Sequence, residues 1–299
     1  MNRRNFIQQS TLSALALALF KSDAFASGGS FQNFKFETLR NNIGFFTEQG
    51  GTIGWFNSPD GFLVIDAQFP NSAPHVIAEL KKLGEKPFKF LLNTHHHGDH
   101  TAGNIAFKGI TEHVVAHKNS LENQKKAAEK ANNLSSQLLP DTTFEKDWSV
   151  KLGKEKISGH YFGAGHTNGD VIYHFQNANI VHAGDLVFNR RYPYIDIENG
   201  ANIGNWILVL EQIQKKFDKD TIFIFGHSLE PYKITGNKDD VKAFQHYLQS
   251  LLSFVSKEIK AGKSKEDILK ATQIPGVSEW SGDGIQRSLT AAYTELTRA

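Results

Sequence analysis

Residues 94–104 read THHHGDHTAGN, with four histidines and an aspartate between His95 and His100. The run follows the apolar stretch FKFLL (88–92), so its side chains leave the end of a β-like segment onto a connection. The order is His95-x-His97-x-Asp99-His100. Two imidazoles one residue apart can reach one cation from an extended turn, while Asp99 and His100 can turn to the other side and hold a second. His96, in the skipped position, is expected to point away. Gly98 is expected to join the two halves by a tight backbone, because glycine reaches positive φ without steric cost. Taken alone, the run fits a solvated histidine-rich turn equally well. Residues elsewhere in the chain have to close the site.

Three places offer such closure, each after an apolar run and beside glycine. Residues 157–162 lead into GAGHTNGD, which contains His166. Residues 180–183 lead into GDLVF, with Asp185, and residues 221–225 lead into GHS, with His227. Singly, each of these is an ordinary turn or core residue. Together they form a set that strand ends could bring to one sheet edge.

Short β-like runs at 34–39, 43–47, 52–56 and 62–65 are separated by EQGG and SPDG turns and predict an antiparallel meander. Val76, Leu80 and Leu83 then fall at helical spacing, and strands and helices alternate. Helices are predicted over 119–134 and 203–217. From residue 240 the tail is helical, with Leu248, Leu251, Leu252 and Val255 on one face. No linker, repeat or low-complexity stretch divides the chain, which predicts one domain over 27–299 with 240–299 as its helical C-terminal segment.

The N-terminal segment MNRRNFIQQSTLSALALALFKSDAFA pairs Arg3 and Arg4 with an apolar run and a closing Ala24-Phe25-Ala26. This pattern predicts a twin-arginine-type signal peptide over residues 1–26 and export to a bacterial periplasm. Its apolar run, about half of what spans a bilayer, argues against a stable membrane anchor. Removing it takes the net charge from +2 to neutral, which speaks against tracking nucleic acid. With no cysteine in the chain, disulfides, thiolate nucleophiles and cysteine-ligated metals are excluded.

In the order THHHGDH, GHTNGD, GDLVF, FGHS, these motifs resemble the metallo-β-lactamase superfamily over essentially the whole mature chain. The resemblance implies an α/β fold, a four-layer αβ/βα sandwich of two mixed sheets with helices outside and the metal site on their shared edge. It implies two Zn2+ per chain. His95, His97 and His166 would hold the first, Asp99, His100 and His227 the second, and Asp185 would bridge them. Asp99 would also orient the nucleophile. The implied chemistry is hydrolysis, by a metal-activated hydroxide, of a small ester, lactone, thioester or amide.

The bridging aspartate departs from the common metallo-β-lactamases, which carry a cysteine there, and is more typical of glyoxalase II and lactonases. A β-lactamase remains one alternative; an iron-dependent dioxygenase, or a metal-binding protein without turnover, is another. The pocket walls are expected to be FNRRYPYID (188–196) and the stretches 50–56 and 162–165. Tyr192 or Tyr194 would approach the oxyanion, and Arg190 and Arg191 would hold a substrate carboxylate. The oligomeric state is left open.

Overall fold

The computed structural model describes residues 34–298, so the expected signal segment lies outside the described residues. Strands β1 (Lys35–Arg40), β2 (Ile43–Thr47), β3 (Ile53–Ser58) and β4 (Gly61–Ile65) form the predicted antiparallel meander. The first sheet then continues in parallel through β5 (Phe88–Leu92), β6 (Thr111–His117) and β7 (Thr142–Phe144), giving seven strands in chain order. Its crossovers carry α1 (Ala73–Lys82), α2 (Gly98–Thr101) and α3 (Lys118–Lys130). In the second sheet, β8 (Asp147–Leu152), β9 (Glu155–His160), β10 (Ile172–Phe175) and β11 (Ile180–Asn189) run antiparallel. β12 (Ile222–Ser228) joins β11 in parallel through α4 (Ile203–Lys216), and β13 (Thr235–Gly236) closes the six-stranded edge. The tail forms α5 (Lys238–Lys260), α6 (Lys265–Ile268) and α7 (Ile285–Thr297).

The period-two alternation of side chains explains the layers. On β4, Leu63 and Ile65 meet Val171, Tyr173, Phe175 and Ile224 of the facing sheet. Phe62 and Val64, one residue out of phase, pack with Val76 and Leu80 of α1. The outer face of the second sheet is covered in the same way by Trp206 and Leu210 of α4 and by Phe244, Tyr247 and Leu251 of α5. Each Leu, Ile, Val or Phe taken fully out of water contributes roughly 1.5–3 kcal/mol, and with no cysteine available this burial holds the four layers together. The tail is part of that structure: Trp280 stacks on Tyr247 at 5.1 Å. Glu295 of α7 accepts the backbone N–H groups of Ile203 and Gly204 and so caps α4. No helix among the described residues is long and apolar enough to cross a membrane.

Three strands that lead to the site differ from the sequence expectation. β11 does not stop at Ala183 but runs through Asp185 to Asn189, with its pairing to β12 shifted on both sides of Gly184. Such an irregularity re-aims a side chain within a strand, and here the side chain is Asp185. β12 likewise extends past Phe225, so His227 lies within it, opposite Phe188. β9, in contrast, ends at His160, two residues before the expected boundary.

Candidate metal centre

Both sheets end at one edge, and backbone bonds tie them there. Thr52 N–H donates to the Gly226 carbonyl (3.0 Å) and Val171 N–H to the Thr94 carbonyl (2.8 Å), and within the first sheet's edge Gly51 N–H donates to the Asp99 carbonyl (3.1 Å). The seven residues expected from the sequence meet at this edge in two groups. His95, His97, His166 and Asp185 form one; Asp99, His100 and His227 form the other. Asp185 spans the pair. Its Oδ2 is 3.4 Å from His166 Nε2, 3.4 Å from His227 Nε2 and 3.9 Å from His95 Nε2, while its Oδ1 is 3.0 Å from His100 Nε2. Asp99 Oδ2 lies 3.1 Å from His227 Nε2.

Hydrogen bonding assigns the imidazole tautomers. Thr94 Oγ1 donates to Asp66 (2.7 Å) and therefore accepts from His95 Nδ1 at 3.0 Å. His166 Nδ1 has only the Tyr194 carbonyl to donate to, at 2.8 Å. His97 Nε2 faces Asp196 at 2.9 Å and His100 Nδ1 faces Asp66 at 2.8 Å. His95, His97 and His166 thus use their outer N–H on an acceptor and turn a lone pair inward. His97 Nδ1 consequently sits 3.0 Å from His95 Nε2 and 2.9 Å from His166 Nε2, lone pair against lone pair. Buried acceptors in this arrangement repel one another unless a cation lies among them. His100 Nε2 lies 3.0 Å from Asp185 Oδ1, both buried, and against the cost of burial the aspartates around the ring hold it well above its ordinary value. The donor set, all imidazole and carboxylate, fits a divalent transition metal.

The electrostatics of the protein alone lead to the same conclusion. Burial opposes charge on Asp185, yet His227 and His100 hold it well below the usual carboxylate range. Burial likewise works against protonated His227, but Asp185 outweighs it and the ring is pushed up to about 9. His95 is held well below its ordinary value by burial and by His100, and His166 is brought to about 3 by burial and by His97. His95 and His166 are thus neutral imidazoles, while His227 keeps a proton where a cation would sit.

Sequence reasoning missed Asp66 and Asp196. Asp66 closes β4 as the histidine run closes β5, and it holds Thr94 and His100 from a left-handed backbone position (φ 62°). The signal was present, an acidic residue ending an apolar run, as with Asp185. His96 points away from the seven donors as expected, but it is buried, with Nε2 3.5 Å from Asp196. Gly98 overturns its expectation. It opens the short helix α2 and is absent from the positive-φ glycines, because the turn is helical rather than tight and left-handed. No atom lies within 4 Å of a Cβ placed there. Gly98→Ala is therefore expected to leave metal content and turnover intact and to raise stability by about 0.5–1 kcal/mol, read as a higher denaturant midpoint.

A cavity of about 360 Å³ opens over the donors. Phe188, Arg191, Tyr192, Pro193 and Tyr194 line it, as expected, and so do Asp283, Gly284 and Arg287 of the tail. Arg190 does not. Its guanidinium is bonded to Asn189 and Asp240 and lies over Trp280 and Tyr232, so it braces the tail. Of residues 50–56, Gly50 and Thr52 line an adjoining groove. The stretch 162–165 packs inward, with Gly165 against Trp206 and Leu186 and Gly163 against Asn205.

The family model of the metallo-beta-lactamase superfamily matches residues 47–227. A metallo-beta-lactamase type 2 of Elizabethkingia meningoseptica is 24% identical over 82% of this chain and 96% of its own. A hydroxyacylglutathione hydrolase of Mesorhizobium japonicum is 33% identical over 42% of each chain. In fold the chain is similar to a sec-alkyl sulfatase, with a TM-score of 0.70 over 88% of this chain and 50% of the other at 13% identity.

Proposed function

The chain belongs to the metallo-β-lactamase superfamily and is a metal-binding hydrolase of that family; we propose that it is a dinuclear zinc enzyme that hydrolyses a small anionic ester, lactone, thioester or amide. The observation that carries this reading is Asp185, one carboxylate within 4 Å of four imidazole nitrogens from both donor groups. His95, His97 and His166 would hold one ion, Asp99, His100 and His227 the other, with Asp185 between them. Once bound, the two ions supply the concentrated positive charge that activates water and polarises a carbonyl.

The chain's own residues would do the rest. Asp99, the more exposed of the two carboxylates in the donor set and kept ionised, against the cost of burial, by His100 and His227, would accept a proton from the attacking water and pass it to the leaving atom. Phe188, Tyr192, Pro193 and Tyr194 form a wall that excludes bulk water from the scissile bond. The N-terminal twin-arginine pattern supports work in the periplasm.

The deciding experiment measures zinc per chain and turns a panel of lactones, thioesters, phosphodiesters and β-lactams over with and without chelator. Two zinc and chelator-sensitive ester cleavage are expected. A single metal, or iron with oxygen uptake, would sink the reading. Preferential β-lactam cleavage would move the substrate class to the alternative favoured by the near full-length match to a metallo-beta-lactamase.

Arg191, just after β11, and Arg287 of α7 face the same cavity, which supports an anionic substrate. Arg191→Ala or Arg287→Ala is expected to raise KM for an anionic ester about tenfold, the low end for a charge-assisted hydrogen bond at an exposed site. A neutral ester should be unaffected in both variants. An equal change for both esters would count against the anion subsite.

A further inference from the structure

Asp196 stands outside the seven donors, 99 positions from His97 in sequence. Its buried carboxylate is 2.9 Å from His97 Nε2 and 3.5 Å from His96 Nε2. The carboxylate is itself held. Asn199 donates to it from its side chain at 2.7 Å and from its backbone N–H at 3.2 Å, within the 3-10 turn Ile197–Asn199. Ala201 N–H donates to the Asp196 carbonyl at 2.9 Å. The same segment supplies the Tyr194 carbonyl that accepts from His166 Nδ1, and Ser288 of α7 donates to the carbonyl of Pro193 at 3.0 Å.

We propose that Asp196 is the positioning residue of His97: it commits the ring to an outward Nε2–H, so that Nδ1 is the nitrogen turned to His95 and His166, and the tail-pinned segment 193–199 is its support. His97 needs this more than its partners do. Its side chain is 16% exposed, against 1% for His95 and 0% for His166, so packing restrains it least. A neutral imidazole without an acceptor populates both tautomers and both ring orientations, and only one of these presents Nδ1 to the group. His96, His97 and Asp196 could be taken as a third cation group. The hydrogen-bond distance between His97 Nε2 and Asp196 makes the pair an orienting contact instead.

The test uses the full chain and cobalt(II), whose visible ligand-field bands report the ligand set. Asp196→Ala is expected to weaken one cobalt equivalent by about 10–100-fold in chelator competition and to leave the other unchanged. Asp196→Asn keeps an oxygen that can accept from Nε2–H and is expected to recover most of that affinity. A folded Asp196→Ala variant with wild-type affinity and spectrum overturns the proposal. Equal weakening of both equivalents in both variants does so too, since that is the pattern of a merely structural role. Nitrogen-15 correlation spectra of metal-free wild type supply an arm that needs no variant. There His97 is expected as the Nε2–H tautomer, and the Nδ1–H tautomer overturns the proposal. The inference rests on reading the seven donors as a cation site, but no substrate enters the test. A wild type that binds cobalt and hydrolyses nothing defeats the hydrolase reading alone.

Discussion

Asp185→Asn is expected to hold at most one equivalent of divalent metal where the wild type holds two, and to turn over any ester, lactone or amide substrate about 10³-fold more slowly or worse. The substitution preserves shape and removes charge. Asp185 and Asp99 are the only anionic members of the seven-residue group, so the variant faces the same two cations with half the compensating charge. Its amide also turns N–H donors towards His100 Nε2 or the pair His166 and His227, all within 3.4 Å of the present carboxylate. A metal ion stabilises developing charge by several kcal/mol, and about 4 kcal/mol is close to a thousandfold in rate. Metal analysis and kinetics on the same preparation check both halves. Two equivalents retained at wild-type affinity would remove Asp185 from its bridging role. Wild-type turnover with one equivalent would show that a single ion suffices.

The seven residues were legible in the sequence because each lies at or near the end of an apolar run and five of them, His97, Asp99, His166, Asp185 and His227, adjoin a glycine, and both features have physical causes. A strand's direction is set by its pairing, so residues at strand ends share an edge without any local signal between them. The glycines leave room. A Cβ at Gly51 would overlap the His100 ring, and one at Gly184, which already sits at φ 51°, would come within 2.7 Å of Thr94. What the sequence did not disclose depends on contacts between distant segments. Asp196 acts only because the segment after β11 folds over the histidine run. Arg190 and Arg191 are chemically alike, yet a left-handed backbone at Arg190 (φ 60°) turns it to Asp240 while Arg191 reaches the cavity. The tail's amphipathic spacing announced a buried face but not its partner, so nothing in the sequence placed Arg287 at the cavity over the seven residues.

Gly226→Ala carries this argument to its largest structural effect. Gly226 precedes His227 on β12, where the chain crosses directly over Asp185. A Cβ there would overlap Asp185 Oδ1 and lie 2.8 Å from the Gly184 carbonyl carbon and 2.9 Å from the Asp185 nitrogen. Two of these three atoms are backbone in the paired strand β11 and have little room to yield. β12 is held from its other side as well, since the Gly226 carbonyl accepts both the N–H and the hydroxyl of Thr52 at 3.0 Å. The side chain of Asp185 must therefore rotate away, withdrawing the one group that touches both donor sets. The variant is expected to lose about 1–3 kcal/mol of stability through overpacking, seen as a melting temperature lower by several degrees. It is also expected to fall with Asp185→Asn in metal content and turnover, although neither a ligand nor a charge has been changed. Gly98→Ala, one residue from a donor but facing open space, is the matched control. Normal metal content and turnover in Gly226→Ala would mean that Asp185 is not confined between β11 and β12, and the bridging geometry would have to be abandoned.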